Sequence, residues 1–138
     1  MKRAAAMAIG FVVVGGGLGM PSAAADRPVC SASECAFLSP SRNISCEVNY
    51  QRSGLTDDAY CQTMEPPQSA TLSAGGVVTA CNGTSCLGNA AENTPTLAYG
   101  QSAGIGPFSC TSKQDGVTCT VSTGKGFTLS NAGITNIG

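Results

Sequence analysis

The stretch Gly106-Pro-Phe-Ser-Cys-Thr-Ser-Lys-Gln-Asp-Gly-Val-Thr-Cys-Thr-Val121 decides how this chain is read. Cys110 and Cys119 flank a turn centred on Gln114-Asp115. Gly116 tolerates the positive φ that a tight reversal demands. Pairing Ser112 with Val117 in antiparallel register sets Cys110 opposite Cys119, and directly opposed strand residues hold their Cβ atoms close enough for a disulfide. The stretch therefore reads as a stapled β-hairpin. Its inward face carries Phe108, Cys110, Val117, Cys119 and Val121, and Thr118 and Thr120 point outward.

The other cysteines extend this reading. Cys30, Cys35, Cys46, Cys61, Cys81 and Cys86 bring the total to eight, an even number. The N-terminus explains why they are expected to be oxidised. Met1-Lys2-Arg3 is basic, an uncharged apolar stretch runs to Met20, and Pro21-Ser-Ala-Ala-Ala25 offers small residues for cleavage. That is the pattern of a signal peptide over 1–25, cut after Ala25. Disulfides persist outside the cytosol, so four bridges are expected. Cysteine-only zinc sites are the rival, because Cys30/Cys35 and Cys81/Cys86 have knuckle-like spacing. An oxidising compartment disfavours them, and the chain has no histidine to complete a mixed site. Proximity along the chain ranks Cys81 with Cys86, Cys46 with Cys61, and Cys30 with Cys35 beside the Cys110–Cys119 staple. Each bridge is worth about 3 kcal/mol through restriction of the unfolded chain.

The mature chain needs such staples. After residue 25 its only aromatics are Phe37, Tyr50, Tyr60, Tyr99, Phe108 and Phe127. So few large side chains offset little of the backbone entropy lost on folding. Short alternating runs point to half-buried strands. These are Ile44–Val48, Thr71–Ser73 and Val77–Thr79 around Ala74-Gly75-Gly76, Thr96–Tyr99, Val117–Val121 and Phe127–Leu129. The one helix candidate is Thr56–Gln62, opened by Thr56 or Asp57 and stopped before Pro66-Pro67. The fold class is thus all-β: a small disulfide-stapled antiparallel sheet, sandwich or partly open barrel, with at most one short helix. Residues 26–36 form an N-terminal arm and 37–138 a single domain. Phe37–Val48 can also be laid over Phe108–Val121, Cys46 upon Cys119 and Asn43 upon Gly116; convergence, since any strand preceded by a turn looks somewhat like this, explains the match more simply than an internal duplication, and the match is too short to mark a repeat architecture.

The residue inventory excludes much chemistry. Without histidine there is no Ser-His-Asp triad, no Cys-His pair and no His-ligated metal. Five basic against eight acidic residues over 26–138 leave −3, with no basic run to draw nucleic acid. No calcium-loop or phosphate-loop spacing occurs, so no cofactor and no metal are expected. Glu47, Asp57, Asp58 and Glu65 are the material for an acid–base pair, but Asp57 and Asp58 are more simply helix-start residues. Asn43-Ile-Ser45 and Asn82-Gly-Thr84 are formal glycosylation sequons.

The strings Phe-Leu-Ser-Pro-Ser-Arg-Asn-Ile-Ser-Cys (37–46), Leu97-Ala-Tyr-Gly100, Gly116-Val-Thr-Cys119 and Gly126-Phe-Thr-Leu-Ser130 resemble a family of small exported actinobacterial, largely mycobacterial, proteins of uncharacterised function. The resemblance spans about 37–130. It departs at Arg42, where the family often has Gly, and at Lys125, where many members have His. It implies export and fold without implying an activity.

The expected function is a secreted, non-enzymatic β-module that binds a protein or glycan partner of the cell envelope or of a host. It is expected to be monomeric, to lie outside the cell or in its envelope, and to have no membrane span once the signal is removed. The alternatives are a protease inhibitor or toxin-like protein carried on a stapled loop such as Asn82–Ser85, and a carboxylate-type hydrolase. N-terminal sequencing of secreted protein should begin at Asp26, and a different first residue would refute cleavage after Ala25.

Overall fold

The computed structural model describes residues 27–138. The expected signal peptide and its cleavage site lie outside the described residues. Ten strands follow in chain order: β1 (Glu34–Leu38), β2 (Ile44–Asn49), β3 (Asp58–Thr63), β4 (Gln68–Ser73), β5 (Val78–Asn82), β6 (Ser102–Ala103), β7 (Ser109–Lys113), β8 (Gly116–Thr120), β9 (Gly126–Ser130) and β10 (Gly133–Ile137). They form two five-stranded antiparallel sheets, β1-β2-β3-β4-β5 and β6-β7-β8-β9-β10. Each sheet is a meander in which every strand pairs with its chain neighbours. The sheets pack into a sandwich, with β3 and β4 lying against β9, and do not close into a barrel. β1 begins at Glu34, inside the segment read as an arm.

Four disulfides hold the meanders: Cys30–Cys35, Cys46–Cys61, Cys81–Cys86 and Cys110–Cys119. Ser112 pairs with Val117, and the two-residue turn Gln114-Asp115 returns the chain. Gly116 is required there for space as well as conformation. A Cβ at that position would lie 2.2 Å from the carbonyl oxygen of Leu129 on the neighbouring strand.

Two expected elements are absent. Residues 58–63 are strand, and the only helical feature among the described residues is one 3-10 turn, Thr84–Cys86. A seven-residue helix is too short to hold without packing. As a strand the segment sends Ala59, Cys61 and Thr63 inward, all fully buried. Asp57 therefore caps no helix; its Oδ1 accepts the Gln51 N–H at 2.7 Å. Residues 96–99 form no strand either. They touch the edge of β1 by one parallel bridge, Leu38 with Thr96.

Strand pairing also resets the internal likeness. In each meander the bridge joins the second strand to the third, Cys46–Cys61 across β2–β3 and Cys110–Cys119 across β7–β8. Cys46 therefore corresponds to Cys110, not to Cys119, and Cys61 corresponds to Cys119. In that register Ile44-Ser-Cys46 lies on Phe108-Ser-Cys110, Ala70-Thr-Leu-Ser73 on Phe127-Thr-Leu-Ser130, and Val78-Thr79 on Ile134-Thr135. The matched serines even share a job. Ser73 Oγ accepts the Val77 N–H at 3.0 Å, and Ser130 Oγ accepts the Ala132 N–H at 3.1 Å. The sequence overlay sets a second strand upon a third, because both carry an isolated cysteine between polar residues and a valine two positions on.

The inner rows follow from the registers. Phe37, Cys46, Cys61, Ala70 and Ala80 cross the first sheet, and Ala103, Cys110, Cys119, Phe127 and Asn136 cross the second. The next row, Cys35-Val48-Ala59-Leu72-Val78, has Ser112-Val117-Leu129-Ile134 as its counterpart. Ser112 stands where the first meander has Val48. It is fully buried and its hydroxyl has no hydrogen-bond partner. An unpaired buried hydroxyl costs about 1–3 kcal/mol. Ser112→Ala should therefore raise the unfolding free energy by about 1 kcal/mol, read from denaturant midpoints at unchanged slope. A lower midpoint would show that the hydroxyl stabilises the core.

Candidate functional site

The outer face of the first sheet carries a roofed groove. Its floor consists of Ala36 on β1, Ser45 and Glu47 on β2, and Tyr60 and Gln62 on β3. Its roof is the segment Gly88–Thr94. A partly open cavity of about 110 Å³ lies beneath the roof. It opens past Asn89 and Thr94 into a wider groove reaching Arg42, Asn43 and Met64.

The roof is fixed at both ends. Cys81–Cys86 turns the chain back over the sheet, and the 3-10 turn Thr84–Cys86 closes that loop. The Gln62 amide then pairs with a backbone as a strand would. Its Nε2 donates to Gly88 O at 2.9 Å, and its Oε1 accepts the Gly88 N–H at 2.8 Å. The Tyr60 hydroxyl lies 2.8 Å from Cys86 O and 2.7 Å from Gln62 Oε1. At the far end Leu38 N–H donates to Pro95 O at 2.8 Å, Leu97 N–H to Leu38 O at 2.9 Å, and Arg27 Nη1 to Glu92 O at 2.9 Å. Asn89, Ala90 and Ala91 span between these anchors with small side chains, which leaves the space under them open.

The charged groups gather at one end of the same face. Arg52 Nη1 lies 3.0 Å from Glu34 and 3.4 Å from Glu47, and donates to Asn49 Oδ1 at 2.9 Å. These pairs are half-exposed, so each is worth no more than about 1 kcal/mol. Asn49 Nδ2 donates to Asp58 Oδ1 at 3.3 Å. Glu47, Asp57 and Asp58 are thus brought together, whereas Glu65 lies in the turn at the opposite end of β3. Glu47, Asp57 and Asp58 each have a structural partner, and only Glu47 of the four lines the groove.

The closest approach of sulfurs from different bridges is in the core. Cys46, Cys61 and Cys119 bring their Sγ atoms within 4.8 Å of one another. All three are in disulfides, which removes the thiolate a metal needs. Asn43, met in sequence as a sequon, is instead a junction. Its Nδ2 donates to Glu65 O at 3.0 Å and to Asn131 Oδ1 at 2.9 Å, and its Oδ1 accepts the N–H of Met64 at 3.1 Å and of Glu65 at 2.9 Å.

Residues 68–135 match the model of a family described as a family of unknown function (DUF6636). The match takes in β4 and β5, the groove roof, and the second meander as far as the middle of β10. No curated protein and no solved structure matches the chain. Among the described residues no helix is long and apolar enough to cross a membrane.

Asp58 has its carboxyl pKa raised, first by burial, with Glu47 and Asp57 adding to the rise and the Asn49 hydrogen bond opposing it. The folded protein thus holds this proton more tightly than the unfolded chain. That contribution is complete below the unfolded Asp pKa, near 3.9, and disappears as pH rises through the folded value. Asp58→Asn removes the titration. Its melting temperature relative to the wild type should therefore be more favourable at pH 7 than at pH 3; an equal or opposite difference would refute the burial effect.

Proposed function

We propose that this chain is an exported, non-enzymatic binding module that holds an extended polar ligand, a glycan or peptide of the cell envelope or of a host, in the groove beneath Gly88–Thr94. One comparison inside the molecule carries the reading. The outer row Ser102-Thr111-Thr118-Thr128-Thr135 crosses the second sheet, and Ala36-Glu47-Tyr60-Thr71-Thr79 is its counterpart on the first. Thr71 and Thr79 keep the threonines. The middle positions depart, with Glu47 in place of Thr111 and Tyr60 in place of Thr118, and both line the groove. An aromatic ring, a carboxylate and neutral hydroxyl and amide groups suit recognition of a polar chain. Nothing there supplies an activated nucleophile. The four disulfides fit an oxidising compartment outside the cytosol.

Protease inhibition through Asn82–Ser85 is less well supported. That loop is closed by its own bridge around a 3-10 turn, whereas protease substrates and inhibitors present extended backbone. Isotope-labelled oxidised protein titrated with envelope glycan fragments and peptides tests the reading. Amide shifts should concentrate at Ser45, Tyr60, Gln62 and 88–94, and the groove-filling variant Ala91→Trp should abolish them. Shifts confined to the second sheet, or none with any ligand, would overturn the groove as the site.

A further inference from the structure

Turns from both sheets enclose a second cleft at the end of the sandwich opposite Arg52. It lies between the β1–β2, β7–β8 and β9–β10 turns and the side chain of Tyr99. Its volume is about 350 Å³, within the range of small-molecule sites, roughly 300–1,000 Å³. It shares no lining residue with the groove beneath 88–94. We propose that this cleft is a saccharide-binding site, which holds a neutral sugar unit against the ring of Tyr99.

Tyr99 supplies the platform. It is 43% exposed, more than any other aromatic residue among those described. The backbone beneath it is nevertheless fixed. Leu97, two residues earlier, is buried, and its N–H donates to Leu38 O at 2.9 Å. Gln101 N–H donates to Ala98 O at 3.0 Å, and Gly100 N–H donates to Ser112 O at 2.7 Å, which ties this turn to β7 beside Lys113. An aromatic ring already held in place loses little freedom on binding. A hexose offers such a ring its apolar C–H face, and Gly116 in the floor of the cleft carries no side chain to fill the space.

The polar groups around the ring both donate and accept, as sugar hydroxyls require. Lys113 donates and Asp115 accepts, and neither has an ion-pair partner among the described residues. Their charges cancel, so the cleft favours an uncharged ligand. Asn131 Oδ1 accepts from Asn43 Nδ2 at 2.9 Å, which leaves the Asn131 Nδ2 to donate. Ser39 Oγ and Ser41 Oγ lie 2.9 Å apart, and each accepts a backbone N–H. One hydroxyl hydrogen is used between them, so the other remains to donate. The rim is made of turns, which give an extended peptide no strand edge to lengthen. The chemistry is therefore that of a saccharide.

Isotope-labelled oxidised protein titrated with linear oligosaccharides of glucose, mannose, galactose and N-acetylglucosamine decides the matter. At least one of these should shift the amides of Tyr99, 113–116 and 131–132. Tyr99→Ala should weaken that binding about tenfold or more, the loss expected when an aromatic stacking partner is removed. Tyr99→Phe should restore most of it, because the ring and not the hydroxyl is the platform. Asp115→Ala should also weaken binding, and it decides the question if Tyr99→Ala does not fold. The groove-filling variant Ala91→Trp should leave binding at the cleft unchanged. Shifts confined to 88–94 and lost in Ala91→Trp would overturn the second site and leave the groove reading intact. No shift at the cleft with any of these saccharides, or cleft binding as tight in folded Tyr99→Ala as in the wild type, would also overturn the proposal.

Discussion

The contact between two cross-strand disulfides is the constraint on which the sandwich rests. The core has few large side chains to work with: Phe37, Phe127, Leu72 and Leu129 are the bulkiest that are fully buried. Cystine sulfur fills space as a compact apolar group, and here it fills the middle of the sandwich from both sides. The bridges also fix register. Cys46 lies opposite Cys61 with Cα atoms 4.1 Å apart, and Cys110 opposite Cys119 at 4.0 Å. A slip of one residue in either hairpin would carry the whole inward set to the solvent face. The covalent link forbids that slip in strands whose Ala, Ser and Thr content would otherwise specify register weakly.

From this shared centre the two meanders diverge on their outer faces. The second sheet satisfies its hydroxyls within the row: Ser102 and Thr111 approach to 2.6 Å, and Thr118 and Thr128 to 2.9 Å. β-Branched threonine suits a pleated, half-exposed surface, so that face needs no cover. The first sheet uses the same positions differently. Tyr60 and Gln62 spend their polar atoms on the backbone at Cys86 and Gly88, drawing the inter-meander connection over the sheet. The connection between the meanders thereby becomes a roof, and the groove is a consequence of joining two meanders in one chain.

The legible parts of the fold were local. Cys110 to Cys119 could be paired because turn, register and alternation all lie within the same short stretch, and the β4–β5 reversal could be read from Ala74-Gly75-Gly76 for the same reason. β3 was obscured by Thr56-Asp57-Asp58, which imitates a helix start; its strand character comes from the cross-strand partners Val48 and Leu72, both distant in sequence. β10 ends the chain as a weakly patterned Gly-Ile-Thr-Asn-Ile, and only pairing with β9 makes it a strand. The groove was not legible at all, because it depends on Gln62 meeting Gly88 and on Pro95 reaching β1. No spacing or composition encodes those contacts. The carboxylates were legible as residue types, and folding gathers three of them without making an acid–base pair.

The Ser39–Asn43 turn shows how a motif can mark structure without marking chemistry. Ser39 Oγ lies 2.9 Å from Ser41 Oγ and accepts the Ile44 N–H at 3.2 Å, so hydroxyls build the reversal between β1 and β2. The left-handed residue in it is Arg42, with φ of 67°, and not Asn43. A non-glycine residue in that region costs about 1–2 kcal/mol. What holds Arg42 in place is its neighbour. The Asn43 amide binds the β3–β4 turn at Met64 and Glu65 and the β9–β10 turn at Asn131. Four hydrogen bonds, each worth about 0.5–1.5 kcal/mol net, are together larger than the strain of one residue. The shape of the turn is therefore imposed by the two turns it meets, one on each sheet, rather than by the preference of residue 42, and this is why an arginine can stand where glycine would be unstrained.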